Sequence, residues 1–201
     1  MTALAMAIAP PRERAIPRLA FQAGVALAGS LLVAGLAQMS ITTPWTPVPY
    51  TGQTLGVLLV GASLGTALGA ISLGLYLLEG AIGLPFFAGA KHGAGLLSFG
   101  AFTGGYLWGF VVAAAVVGWL ARRGWDRSFR SAIGAMLIGE IVLYAIGVPW
   151  LMGALDLPLQ KALELGLYPF VIGDTLKLLL AAAVLPSAWR FLGRRRRDES
   201  G

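Results

Sequence analysis

The chain has 201 residues, of which 57% are hydrophobic and 12% charged, with a net charge of +6, no cysteine and one histidine. Soluble domains carry about 25% charged residues, and a water-soluble chain of this length could not hide so much apolar surface. The composition therefore predicts a multi-pass integral membrane protein with no room for a soluble enzyme domain, and it excludes disulfides, thiolate metal sites and a multi-histidine metal site.

Apolar runs bounded by proline, glycine and arginine clusters predict six spans in one compact all-α bundle. Residues 1–18 read as a short cytoplasmic tail, because Met1–Ala9 is apolar yet lacks the basic region that opens a signal peptide. Span one, Leu19–Ile41, carries small residues at four-residue spacing on two lines: Ala20, Gly24 and Ala28, and Ala26, Ser30 and Ala34. Small side chains let helices approach closely, but spacing does not say which line packs inside the fold and which meets a partner. Thr42–Gln53 (TTPWTPVPYTGQ) contains three prolines and should be extended and semi-rigid. A short second span, Gln53–Leu64, and a third, Thr66–Ile82, follow. Leu84–Phe102 is a long, glycine-rich outer loop between the third and fourth spans; an exposed apolar loop is poorly solvated, so it is expected to fold back as a lid, bringing Lys91 and His92 with it. Spans four to six are Thr103–Ala121, Ile133–Leu151 and Pro169–Trp189. The bundle thus occupies residues 19–190, and 191–201 form a basic tail.

The arginines set the orientation. They fall in three regions: Arg12, Arg14 and Arg18; Arg122, Arg123, Arg127 and Arg130; and Arg190 with Arg194–Arg197. Six spans put all three on one side, and the positive-inside rule makes that side, with both termini, cytoplasmic. The arginine tail reads as an anchor near anionic lipid rather than a nucleic-acid site. Trp45, Tyr50, Tyr106, Trp108, Trp150 and Tyr168 form an outer aromatic belt, and Trp119, Trp125 and Trp189 an inner one.

Two charges interrupt the sixth span. A charge near the middle of a membrane helix costs roughly 2.5–3.5 kcal/mol on insertion scales, so such groups face the bundle interior and pair with each other or with a ligand. Asp174 and Lys177, three residues apart, share a helix face and offer an acceptor beside a donor. A purely structural ion pair is the competing reading. Glu79 and Glu140 read as wetted or packed helix polars, with ligand contact as the alternative. The chain has no Walker-type phosphate loop, Gly-x-Ser-x-Gly elbow or His-Glu-x-x-His helix, so neither ATP hydrolysis nor hydrolase or metalloprotease chemistry is expected of it. No residue is assigned a catalytic or metal-ligating role.

Four segments, VPYTGQTLGVLLVGASLG (Val48–Gly65), SLGLYLLEGAIGLPFFAG (Ser72–Gly89), TGGYLWGF (Thr103–Phe110) and YPFVIGDTLKLLLA (Tyr168–Ala181), resemble in order the BioY family. These are the biotin-specific substrate-binding (S) components of energy-coupling-factor (ECF) transporters. The chain departs from the family pattern at Ala101 and Phe102, where Gly-Pro usually precedes Thr-Gly-Gly-Tyr. The resemblance implies capture of biotin from outside by a plasma-membrane (inner-membrane) protein with no cofactor of its own. It would work with a transmembrane coupling subunit and a pair of cytoplasmic ATPases that consume ATP. The resemblance places the ureido-binding pair on Asp174 and Lys177, and the coupling-subunit surface on Ala20, Gly24 and Ala28. Tyr50, Phe86, Phe87, Tyr106 and Tyr168 are candidate walls for the thioether ring, with Gln53 counted among the substrate-binding residues. The carboxylate falls to loop amides, hydroxyls, Lys91 or His92. Whether the chain self-associates stays open. The alternatives are an S component for another vitamin, a small intramembrane enzyme with Asp174 as general base and Lys177 setting its pKa, and a structural membrane subunit without ligand.

Overall fold

The computed structural model describes residues 3–7 and 15–198, with side chains only within 3–5 and 16–192, so the expectations resting on Arg12, Arg14 and Arg194–Arg197 lie outside the described side chains. The elements are α1 (Ala15–Gln38), a two-stranded hairpin of β1 (Ser40–Thr43) and β2 (Thr46–Thr51), α2 (Gln53–Ala81), α3 (Gly104–Arg122), α4 (Phe129–Leu155), a short α5 (Leu159–Gly166) and α6 (Val171–Asp198). Among the described residues, five helical stretches are long and apolar enough to cross a membrane, with α5 and α6 forming one of them.

The difference from six predicted spans lies in α2. Its 29 residues include Gly65 at φ 80°, ψ −178°, a break that splits the element into arms 53–64 and 66–81. In a straight helix Gln53 and Tyr76 would stand about 34 Å apart. Here the Gln53 Nε2 donates to the Tyr76 hydroxyl at 2.6 Å, so the arms fold back on each other as an antiparallel pair. Gly65 supplies the backbone conformation that side-chain-bearing residues avoid. Where the turn meets α3, a side chain at Gly118 would collide with the Gly65 backbone.

Three apolar clusters hold the bundle. One joins α1, both arms of α2, α3 and α4 around Val33, Tyr76, Phe110 and Leu143. The second joins α2, α3, α4 and α6 around Leu58, Val117, Met136 and Leu185. The third, around Val48, Tyr106, Leu151 and Phe170, lies under the hairpin. On α1 the two small-residue lines separate: Ala26, Ser30 and Ala34 are 5%, 0% and 5% exposed, whereas Ala20, Gly24 and Ala28 are exposed. The Ser72 hydroxyl donates to the Ala26 carbonyl at 2.7 Å, fixing the buried line against α2.

The arginine-bearing end is tied together by aromatics. The Trp189 indole on α6 donates to Asp126 in the α3–α4 connection at 2.5 Å. Arg127 lies over the Trp189 ring and Arg123 over Trp119. At the opposite end the proline-rich segment forms the β hairpin, with Trp45 in its turn. The Thr46 hydroxyl donates to the Leu165 carbonyl at 2.5 Å, anchoring the hairpin on α5. Residues 83–103 form two 3-10 turns, Ala88–Ala90 and Ala94–Leu97, and bury Phe87 (2% exposed) edge-on against Tyr76.

Candidate functional site

A cavity of about 250 Å³ lies at the hairpin end, walled by β2, the start of α2, α3, α4, the first turns of α6 and the 83–103 segment. Most of its wall is apolar: Val48, Phe87, Leu96, Phe102, Leu107, Phe110, Leu143 and Phe170. Gln53, Thr54, Tyr144, Asp174 and Lys177 concentrate the polarity where α2, α4 and α6 converge. Such an arrangement, apolar walls with a few placed polar groups, suits one small organic solute.

Asp174 sits in the first turn of α6, directly after a 3-10 turn at Tyr168–Phe170. A carboxylate there meets the positive end of the helix dipole. Its side chain is 7% exposed and pairs with Lys177 at 2.8 Å. Thr54, in the first turn of α2, donates to Asp174 Oδ1 at 2.9 Å and accepts from Lys177 Nζ at 3.1 Å. The Tyr144 hydroxyl on α4 donates to Asp174 Oδ2. A carboxylate accepts about four hydrogen bonds and an ammonium donates three. Among the described residues, Asp174 therefore keeps one free lone pair, on Oδ2, and Lys177 keeps one free N–H. The pair is held by three helices and presents one acceptor and one donor side by side. Carboxylate and ammonium are both partnered by the protein's own groups, which a desolvated pair requires.

The candidates named from sequence divide around this cavity. Asp174, Lys177, Gln53, Phe87, Lys91 and Tyr106 line it. Tyr106 spends its hydroxyl on the Gly166 carbonyl at 2.8 Å, so it offers the cavity a ring. Tyr50, Phe86 and Tyr168 do not line it. Tyr50 stacks on Phe170 at 4.7 Å and accepts from the Trp45 indole, so it supports the wall from behind. Phe86 packs on the first core cluster, and Tyr168 is 56% exposed. His92 is exposed and off the wall. Glu79 is likewise absent from the lining, while Glu140 lines a neighbouring crevice of about 490 Å³ between α4, α5 and α6.

Thr54, Tyr144 and Phe102 are the residues that sequence reasoning missed. The first two are ordinary hydroxyl residues in apolar helices, and only contacts across 120 and 30 positions give them a role. Phe102 stands where the family pattern has proline; its ring joins the third cluster and lines the cavity, while the Ala101 carbonyl beside it accepts from the Trp150 indole at 3.0 Å.

Comparison with known proteins agrees with this architecture. The biotin transporter BioY of Thermotoga maritima is 38% identical over 144 residues, covering 72% of this chain and 82% of that protein. The biotin transporter BioY of Rhizobium etli is 36% identical over 164 residues, covering 78% and 86%. A crystal structure of the S-component for biotin from an ECF-type ABC transporter superposes with a TM-score of 0.77 at 24% identity, covering 90% of this chain and 95% of that one, which establishes a shared fold. The sequence pattern of the BioY family matches residues 13–194, and the chain belongs to that family.

Proposed function

We propose that this protein is the substrate-capturing S component of an ECF-type importer: it takes biotin into the cavity from the outer face and delivers it inward with a transmembrane coupling subunit and two ATPases. It performs no chemistry on its solute and needs no cofactor. The observation that carries this reading is the Asp174–Lys177 pair, held in a mostly apolar cavity with one acceptor and one donor to spare.

The chemistry of the solute fits that pair. A ureido ring carries two N–H donors and one strongly polar carbonyl. One N–H meets the free lone pair of Asp174 Oδ2, and the carbonyl accepts the remaining N–H of Lys177, both bonds being charge-assisted. The second N–H finds the Gln53 amide oxygen on the same wall. The thioether ring and valerate chain lie among Phe87, Tyr106, Phe110 and Phe170. The carboxylate reaches Lys91 at the outer rim, where the 83–103 segment serves as the lid.

The topology belongs to the same proposal. The two arms of α2 count as two crossings, because their turn at Gly65 lies level with Gly118, one helical turn from Arg122. With α5 at the outer surface, this gives six spans in the plasma membrane and places the arginine-bearing end and both termini in the cytoplasm. The tails 1–18 and 191–201 then flank a single membrane domain, 19–190. Ala20, Gly24 and Ala28 form an outward stripe on which the coupling subunit packs.

Equilibrium binding of labelled biotin to the purified protein, with unlabelled biotin, thiamin and riboflavin as competitors, tests the assignment. Biotin alone should displace the label. Displacement by another vitamin, or absence of saturable binding, overturns it.

A further inference from the structure

The later part of the segment over the cavity is tied down by α3 and α4, where the Trp108 and Trp150 indoles donate to the Leu97 and Ala101 carbonyls; its first part is met by a side chain of α1. Gln38 is the last residue of α1, and its amide reaches across to residues 85–90. The Nε2 donates back to the Ala34 carbonyl at 3.0 Å and outward to the Pro85 and Phe86 carbonyls at 3.2 and 3.4 Å. With two N–H groups and three acceptors, one N–H is shared between neighbouring carbonyls. The Oε1 accepts from the Ala90 backbone N–H at 3.0 Å. Ala90 has φ of 60°, a left-handed conformation that alanine adopts at a cost and keeps only where its surroundings enforce it. The Gln38 acceptor is one such restraint. Next to it, the Phe87 N–H donates to the Lys91 carbonyl at 3.0 Å, closing the loop that carries both Phe87 and Lys91 into the cavity wall.

We propose that Gln38 is a latch: a positioning residue that holds the 85–91 loop closed over one side of the cavity and sets how fast the ligand leaves. The proposal rests on the reading of that cavity as the biotin site. Gln38 also ends the helix that carries the exposed Ala20, Gly24 and Ala28 line. A shift of α1 along its axis would draw the amide away from residues 85–90 and free that loop, while residues 93–101 stay tied to α2, α3 and α4. Partner engagement on α1 and opening of the cavity are thereby mechanically joined. Gln38 itself is exposed and outside the apolar clusters, so its replacement leaves the bundle intact.

Two measurements on purified full-length protein test the latch. Limited trypsin digestion reads the segment directly, since Lys91 sits within it; the cut after Lys91 is identified by fragment mass, with no ligand present. Stopped-flow release of labelled biotin gives the dissociation rate. In Gln38→Leu, which removes every bond, and Gln38→Glu, which keeps the acceptor and loses the donors, cleavage after Lys91 and biotin release should each speed up roughly tenfold. The association rate and the melting temperature of the ligand-free protein should stay at wild-type values. Adding Ala90→Gly to Gln38→Leu, which relieves the left-handed strain, should recover part of the protection. Unchanged cleavage and release in Gln38→Leu overturns the latch, as does a lowered melting temperature with slower association, which marks a general packing defect. A wild-type protein that binds no biotin refutes the functional reading instead, while the Lys91 cleavage comparison still decides the latch.

Discussion

At the arginine-bearing end, Gly65 and Gly118 let α2 and α3 meet backbone to backbone, and Leu58, Val117, Met136 and Leu185 fill the remaining space. At the hairpin end the same helices part around a cavity of about 250 Å³, and the space between them is held by Thr54, Tyr144, Asp174 and Lys177. One end gains stability from close contact, with dispersion accumulating over many small residues. The other forgoes packing and keeps its shape through a charged network that the protein's own groups satisfy. Substitutions at the first end should therefore appear in stability, and those at the second in affinity.

Lys177→Met leaves Asp174 buried without its counter-charge. It also removes the charged donor to the ureido carbonyl, and truncating one partner of a buried charge pair in a binding site costs about 2–5 kcal/mol of affinity, so biotin affinity should fall by roughly a hundredfold in equilibrium binding. Gly118→Val strikes the opposite end. Forcing a branched side chain against the Gly65 turn should cost about 1–3 kcal/mol, read as a lower melting temperature in detergent; the fraction still folded should bind biotin normally. Tyr144→Phe removes one of three donors to Asp174 and keeps the ring. It should weaken biotin roughly tenfold in the same titration, with little change in melting temperature.

The smallest effect concerns pH at the arginine-bearing end. Asp126 lies in the α3–α4 connection, fully buried, with Oδ1 unpartnered among the described residues and Oδ2 taking the Trp189 N–H. Burial raises its pKa, opposed by that hydrogen bond, by backbone hydrogen bonding and by Arg127. A carboxyl raised on folding binds its proton more tightly in the folded state. Its contribution is therefore fully present below the unfolded value, about pH 4, and declines as pH rises through the folded one. Asp126→Asn keeps an acceptor for Trp189 and should flatten that decline when melting temperature is followed across the acidic range. An unchanged slope assigns the pH dependence to other groups.

What the sequence disclosed follows from the same contrast. Charge in an apolar helix is costly, so Asp174 and Lys177 stand out from composition alone, and both line the cavity. The break at Gly65 was legible as two short apolar runs on either side of it. Single aromatics carry less information: Tyr50, Phe86 and Tyr168 miss the cavity wall because the face a ring takes is set by how its segment is rotated against neighbours. Segment Leu159–Gly166 falls between the predicted fifth and sixth spans and yet is helical: Leu159, Leu163 and Leu167 recur every four residues and all three line the crevice beside α4. The extended proline-rich segment was foreseeable, but its pairing into a hairpin depends on the register Ser40–Thr51 and Ile41–Tyr50, which local composition does not specify.

In the proposed function, Asp174 and Lys177 grip a neutral cyclic urea. The most direct measurement is a titration of labelled biotin against the purified wild-type protein and Asp174→Asn, with melting temperatures confirming that both are folded. The substituted amide keeps the shape and one acceptor but loses the charge-assisted bond to the ureido N–H, so affinity should drop by roughly a hundredfold. Equal affinity in the two proteins would contradict the claim and remove the pair from the binding site.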